Sequence, residues 1–355
     1  MQKKIVLTPP TSLGYHMPAE WEKHEAIWLA WPHNPEDYPK NLENVHKTYL
    51  EIIKTVSNNE KVHILAKDNQ VKINIEERLA MGKMEAKNIH IHIFNYADVW
   101  MRDYGPIFIL NVGENKLAMI HWKFNAWGEK YEELKNDTNA PPFINKFLKI
   151  PCFKPGIVLE GGSIDVNGKG TLLTTQQCLL NKNRNPTLSK EEIESYLMDY
   201  LGVSNIIWLI EGILGDDTDG HIDDIARFVN PTTVLCAYES NKNDANYFIL
   251  KNNYEILSQS TDQDGRKLQI IKLPMPGEVF SEDGASRLPA SYANFYIGNG
   301  CVLVPFYGHE NDIKALSIIQ DLFPTRKAIG INCSELAHGL GAIHCISQQQ
   351  PATRG

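Results

Sequence analysis

The chain has 355 residues, 43% of them hydrophobic, and a formal net charge of −8. That is enough apolar material for a substantial core, and the charge has the wrong sign for a general nucleic-acid surface while suiting a small cation. The segment Met1–Pro10 lacks the apolar run of a signal peptide, and stretches such as Ile206–Ile210 are strand-length, so a cytoplasmic protein without membrane or nucleic-acid partners is expected.

In chain order, His24 to Trp31 reads as a first apolar strand. Val45, Tyr49, Ile52, Ile53 and Val56 share one helical face, and Lys61 to Ala66 follows as a strand. A hairpin runs from Asp103 through a turn at Asn111-Val112-Gly113 to Trp122, and another from Gly162 through Asn167-Gly168 to Thr175. Ser189 and Glu192 form a capping box ahead of Ile193, Tyr196, Leu197, Tyr200 and Leu201 at helical spacing. Gly202 ends that helix, and Asn205 to Ile210 is a strand. A third hairpin goes from His221 through Asn230-Pro231 to Tyr238, and a fourth from Tyr292 through Gly298-Asn299-Gly300 to Pro305. Asp312 to Leu322 is a helix with Pro324 beyond it, Lys327 to Asn332 a strand, and Ala342 to Gln348 a last strand able to close a ring.

The hairpins start roughly 60–70 residues apart, each followed by a helix and a strand, which is the mark of a repeat architecture. About five ββαβ-like units result, in an α/β fold without a linker and hence a single domain over 1–355. Asp103 and His221 each begin the first strand of a hairpin, and Glu160 lies just ahead of another. Quasi-equivalent positions would turn these side chains toward one axis. Acids beside glycine also cap turns, so this placement alone does not assign them a role.

The six cysteines, Cys152, Cys178, Cys236, Cys301, Cys333 and Cys345, are widely spaced with no Cys-x-x-Cys pair, which argues against a zinc knuckle or a disulfide framework. Cys345 stands apart in Gly339-Leu340-Gly341-Ala342-Ile343-His344-Cys345. Small residues before it let the backbone bend around a ligand, and its β-branched neighbours predict a strand that fixes the thiol. A lone cysteine is ordinarily a small buried hydrophobe. Its company argues otherwise: His221 in Asp217-Thr218-Asp219-Gly220-His221-Ile222-Asp223-Asp224, and acids in Trp100-Met101-Arg102-Asp103 and Leu159-Glu160-Gly161-Gly162-Ser163. A thiolate nucleophile needs a neighbour that lowers its pKa, and His221 is the candidate. A guanidinium offers five N–H donors in a fixed fork that carboxylates grip, and its weakly electrophilic carbon calls for a strong nucleophile and an acid for the departing nitrogen. Cys345 and His221 fit those two roles.

With these motifs the chain resembles the agmatine deiminase family, within the pentein superfamily of guanidine-modifying enzymes. The resemblance runs from Met17-Pro18-Ala19-Glu20-Trp21-Glu22 and Ala30-Trp31-Pro32 through Phe124-Asn125-Ala126-Trp127-Gly128 and Asn181 to Pro186, and on to Ile343-His344-Cys345 with its following glutamines. It implies a five-bladed α/β propeller with the site on a pseudo-fivefold axis. Asp103 and Asp223 would clasp the guanidinium, Cys345 would attack its carbon, and His221 would protonate the leaving ammonia and then activate water. Glu160 would orient His221, Trp100 would pack against the methylene chain, and Asp217 would meet the far amine. No cofactor or metal is implied; a homodimer or higher homo-oligomer is.

The sequence departs from the family where Gly339-Leu340-Gly341-Ala342 replaces a Gly-Gly-Gly-Asn pattern, and where Tyr104 replaces a smaller polar residue. Related bacterial-type peptidylarginine deiminases act on substrates bearing a carboxylate and would want arginines in the pocket; the loop Asp216-Asp217-Thr218-Asp219 suits an ammonium better. Three further readings compete. A papain-like protease needs a single orienting Asn or Asp and its own local motifs. A metalloenzyme on His221, Asp223, His344 and Cys345 lacks a tight ligand pair. A pentein used as a binding module would not need the cysteine, histidine and acid set.

Overall fold

The computed structural model describes residues 8–36, 38 and 41–353, and five separate sheets carry the fold. The first holds β1 (His24–Ala30), β2 (Lys61–Ala66) and β3 (Ile89–Ile93), all parallel. The second holds β4 (Ile107–Asn111), β5 (Lys116–Ile120) and β6 (Cys152–Phe153), and the third β7 (Asp165–Val166), β8 (Thr171–Thr175) and β9 (Asn205–Leu209). The fourth holds β10 (Ala226–Asn230), β11 (Thr233–Tyr238) and β12 (Gln269–Pro274), and the fifth β13 (Tyr296–Ile297), β14 (Cys301–Phe306) and β15 (Lys327–Asn332). In each of these four the first pair is antiparallel and the third strand is parallel to the second.

The first sheet obtains its antiparallel strand from the far end of the chain, where β16 (Ser347–Pro351) pairs with β1. Trp28 Nε1 pins that junction by donating to Gln350 Oε1 at 2.9 Å. The closing strand therefore exists, but it starts at Ser347 rather than Ala342. The preceding residues form a turn because Ile346 N bonds back to Ala342 O at 3.3 Å and Ser347 N to His344 O at 3.1 Å. Cys345 consequently sits in that turn and not in a strand.

Helical crossovers pack the sheets. In Leu42–Val56 the stripe Val45, Tyr49, Ile52, Ile53 and Val56 is buried as its spacing predicts. The capping box is present: Ser189 N bonds Glu192 Oε2 at 2.8 Å and Glu192 N bonds Ser189 Oγ at 3.2 Å, starting the helix Lys190–Leu201. Its buried face, Ile193, Leu197 and Leu201, contributes about 1.5–3 kcal/mol per side chain. Strand β8, flanked by β7 and β9, is buried along its whole length and reads Thr-Leu-Leu-Thr-Thr, with threonine hydroxyls satisfied inside the fold. Among the described residues no helix is long and apolar enough to cross a membrane.

One regularity positions the site. Just before the first strand of each sheet the chain makes a single tight turn: Met101–Tyr104 before β4, Gly161–Ser163 before β7, Ile222–Asp224 before β10, the stretch 291–294 before β13, and 343–346 before β16. Asp103 therefore lies in one of these turns and His221 caps the start of another, and neither begins a strand. Turn hydrogen bonds such as Gly105 N to Met101 O at 2.9 Å hold them out of the ladders.

Candidate active site

The five pre-strand turns bring Asp103, Glu160, His221 with Asp223, Asn294 and Cys345 into one buried cluster. Asp103 Oδ2 accepts from Trp127 Nε1 at 2.9 Å and Oδ1 from Gly162 N at 3.0 Å. His221 Nδ1 is 3.6 Å from Asp103 Oδ1. Gly162 is required between them, since a Cβ there would lie 2.5 Å from His221 Nδ1 and 2.8 Å from Asp103 Oδ1. Cys345 is 6% exposed, with Sγ 3.8 Å from Asp223 Oδ2. Within the last turn, His344 spans two carboxylates, Nδ1 2.6 Å from Asp223 Oδ2 and Nε2 2.8 Å from Glu20 Oε2. Glu20 is also paired with Arg227 at 2.7 Å and Arg102 at 3.7 Å.

Burial and this crowd of charges set the protonation states. Burial lifts Asp103 from 3.8 to about 6, with His221 opposing the shift. Burial works against a charged His221, yet Asp103 first, then Cys178 and Asp223, outweigh it and hold its pKa well above the ordinary value. Burial would also lift Asp223, but His344 and then His221 keep it below the usual carboxylate range. The Cys345 thiol is pushed well up by burial and by Asp223, Asp224 and Asp103. A cavity of about 510 Å³ reaches the cluster, lined by Trp100, Asp103, Trp127 and Cys345 among buried residues, and by Glu36, Glu133, Asp217 and Leu340 among more exposed ones.

The family model for Porphyromonas-type peptidyl-arginine deiminase matches residues 16–351. The chain belongs to that family. It is 38% identical to the agmatine deiminase of Medicago truncatula over 97% of this chain and 98% of that one. A structure of Enterococcus faecalis agmatine deiminase catalysing its reaction matches with a TM-score of 0.92 at 34% identity, covering 99% and 100% of the two chains. A C. jejuni agmatine deiminase with one cysteine changed to serine and with substrate bound matches with a TM-score of 0.85 at 33% identity, covering 96% and 97%.

In this member of the family most of the predicted residues converge, with three differences. Glu160 does not hydrogen-bond His221: its Oε1 accepts from Arg184 Nε at 2.6 Å, while Oε2 and both His221 ring nitrogens have no hydrogen-bond partner among the described residues. The thiol's hydrogen-bond donor is Asn294, whose Nδ2 is 3.0 Å from Cys345 Sγ, and not His221. Asp217 lines the cavity but already accepts from Tyr131 OH at 2.6 Å and is contacted by Lys130. Trp100 also lines it, held by its Nε1 donating to Asp98 Oδ2 at 2.8 Å. His221, Asp223 and Glu160 sit behind the lining.

Of the departures from the family pattern, only Leu340 faces the cavity. Tyr104 is turned inward, donating to Asp98 O at 2.8 Å, and Ala342 is buried outside the lining. The metal-binding reading of His344 conflicts with its geometry, because both ring nitrogens are engaged by carboxylates and neither is aimed at Cys345. Sequence reasoning missed Asn294, and it gave no role to Trp127, Arg184 and Asp224, which lie within the motifs it singled out. For Asn294 a signal existed, since it sits ahead of the fourth hairpin where Asp103 and His221 sit ahead of theirs.

Proposed function

We propose that the protein hydrolyses the guanidinium group of agmatine to N-carbamoylputrescine and ammonia, through an amidino-thioether on Cys345. The observation that carries the reading is the gathering of two buried carboxylates, Asp103 and Asp223, around a thiol and an imidazole whose pKa is raised. Among the described residues Asp223 Oδ1 is buried without a hydrogen-bond partner, an acceptor left open for a cationic N–H.

The guanidinium binds between Asp103 and Asp223. Its positive charge offsets the acids that hold the thiol up, so Cys345 releases its proton to water through the cavity and Sγ bonds to the guanidinium carbon. As the carbon–nitrogen bond to one terminal nitrogen breaks, His221, charged in the free enzyme, gives that nitrogen its proton and ammonia leaves. Neutral His221 then takes one proton from water, whose oxygen attacks the same carbon; the carbon–sulfur bond breaks to return the thiolate, the remaining hydroxyl proton passes to solvent, and the ureido product leaves. Glu160, paired with Arg184, supports the His221 side of the site, and Trp100 flanks the methylene chain.

The cavity wall favours a substrate with a far ammonium over one with a carboxylate. Among the described lining residues Glu36, Asp98, Glu133 and Asp217 are acidic against one lysine, Lys67, and no arginine is present. The five sheets support a five-bladed propeller about a pseudo-fivefold axis, with 1–355 as one catalytic unit. Six unpaired cysteines suit a reducing cytoplasm. The test is incubation with agmatine, quantifying ammonia and ureido product, with acid quenching to locate the adduct by mass spectrometry. An adduct on Cys345 is expected; absence of ureido product, or an adduct on another cysteine, overturns the reading.

A further inference from the structure

After Asn125 four consecutive residues adopt left-handed backbone: Ala126 at φ 54°, Trp127 at 53°, Gly128 at 90° and Glu129 at 65°. Three of them carry a Cβ, for which that conformation is strained, and such strain persists only where the surroundings enforce it. Asn125 enforces it from both ends, its Oδ1 accepting from Gly128 N at 2.9 Å and its Nδ2 donating to Asn183 O at 2.9 Å. Gly128 runs so close to Asn183 that a Cβ would lie 2.3 Å from its Nδ2.

The strained turn leads to contacts with two carboxylates, of which Asp217 is also paired with Lys130 Nζ at 3.4 Å. Trp127 Nε1 donates to Asp103 Oδ2 at 2.9 Å, and Tyr131 OH donates to Asp217 Oδ2 at 2.6 Å. The two rings meet edge to face with centroids 6.0 Å apart, so each packs against the other. Both carboxylates line the cavity, Asp103 buried and Asp217 partly exposed.

We propose that this left-handed turn is a ruler for substrate length: Trp127 and Tyr131 are positioning residues that hold Asp103 and Asp217 at a fixed separation, selecting guanidinoalkylamines whose two cationic ends match it. The proposal rests on agmatine-type substrates being the true ones. A fixed pair of acids rewards one chain length, whereas acids free to shift follow the substrate. Trp127 also donates to Asp103 in its charged form, against Asp223 and Glu160, which repel that charge, with His221 attracting it and Cys345 nearby.

The experiment measures kcat and KM for agmatine and for guanidinoalkylamines one methylene shorter and longer, in wild type, W127F and Y131F, with melting temperature as the check on folding. Wild type is expected to prefer agmatine. Y131F should raise KM for agmatine about tenfold, as loss of a charge-assisted hydrogen bond does, keep kcat, and flatten the chain-length preference. W127F should lower kcat and move the acid limb of the kcat/KM profile to higher pH, which a merely structural role would leave in place. Y131F, whose hydroxyl is half-buried, decides the matter if W127F does not fold. Wild-type chain-length preference in Y131F overturns the proposal while leaving agmatine hydrolysis intact. A wild-type enzyme that consumes none of the three amines removes the substrate reading and the proposal with it.

Discussion

Asn294 holds Cys345 at both ends: its Nδ2 lies 3.0 Å from the Cys345 sulfur, and its Oδ1 accepts the backbone N–H of Cys345 at 3.3 Å and of His344 at 2.9 Å. The same amide also donates to Asp224 Oδ1 at 3.0 Å. It therefore fixes the turn and offers the sulfur a hydrogen bond that favours the thiolate, against the acids that oppose it.

Replacing Asn294 with alanine removes a hydrogen bond to a charged group worth about 1.5–3 kcal/mol, so kcat/KM should fall about 10- to 150-fold. Alkylation of Cys345 by iodoacetamide in the free enzyme should slow in parallel and shift to higher pH. An unchanged alkylation profile would contradict the role.

Asp103, with a pKa of about 6, must be ionised to hold a cation, so kcat/KM should fall with unit slope as pH drops below that value. Bound guanidinium lowers that pKa, so kcat should keep its plateau to lower pH than kcat/KM. For stability the sign is opposite: a pKa raised in the fold stabilises below the ordinary 3.8 and the contribution is lost as pH rises through about 6. D103N should accordingly melt higher than wild type at pH 8, although it is inactive. Equal melting temperatures there would show that Asp103 carries no such cost.

His344 bridges Asp223 and Glu20, and removing it leaves two buried carboxylates short of a partner. H344A should lose about 3–5 kcal/mol of stability, read from the denaturant midpoint. A loss under about 1 kcal/mol would mean the neighbouring Arg227 and Arg102 suffice.

Leu340 occupies left-handed backbone, φ 72°, where the family pattern has glycine, and its side chain lines the cavity. L340G should relieve roughly 1–2 kcal/mol of strain against an entropic cost of about 0.5–1 kcal/mol, so a small rise in melting temperature is expected. A marked fall would show that the leucine contacts outweigh the strain.

How much of this the sequence disclosed follows from where apolar periodicity and cap chemistry are strong. The helix at Leu42–Val56 and the box at Ser189 and Glu192 were legible because their buried stripe and cap use the residues such positions favour. The helix Asn246–Gln259 was not, since its buried face includes Asn246 and Asn253, which satisfy the backbone of Leu214 and Ile210 and interrupt the apolar pattern. Strand β12 is only partly buried and so alternates weakly. At the site, Cys345, His221 and the acids stood out by residue type, whereas the partners Asn294 for the thiol and Arg184 for Glu160 depend on contacts 51 and 24 residues away in the chain.

The most direct measurement is kcat/KM of the purified protein for agmatine, free arginine and a peptide ending in arginine, under one set of conditions. The acidic cavity wall, without an arginine among the described lining residues, predicts agmatine highest, because each competitor brings a carboxylate toward Glu36, Glu133 and Asp217. A higher kcat/KM for the arginine-terminated peptide would contradict the account.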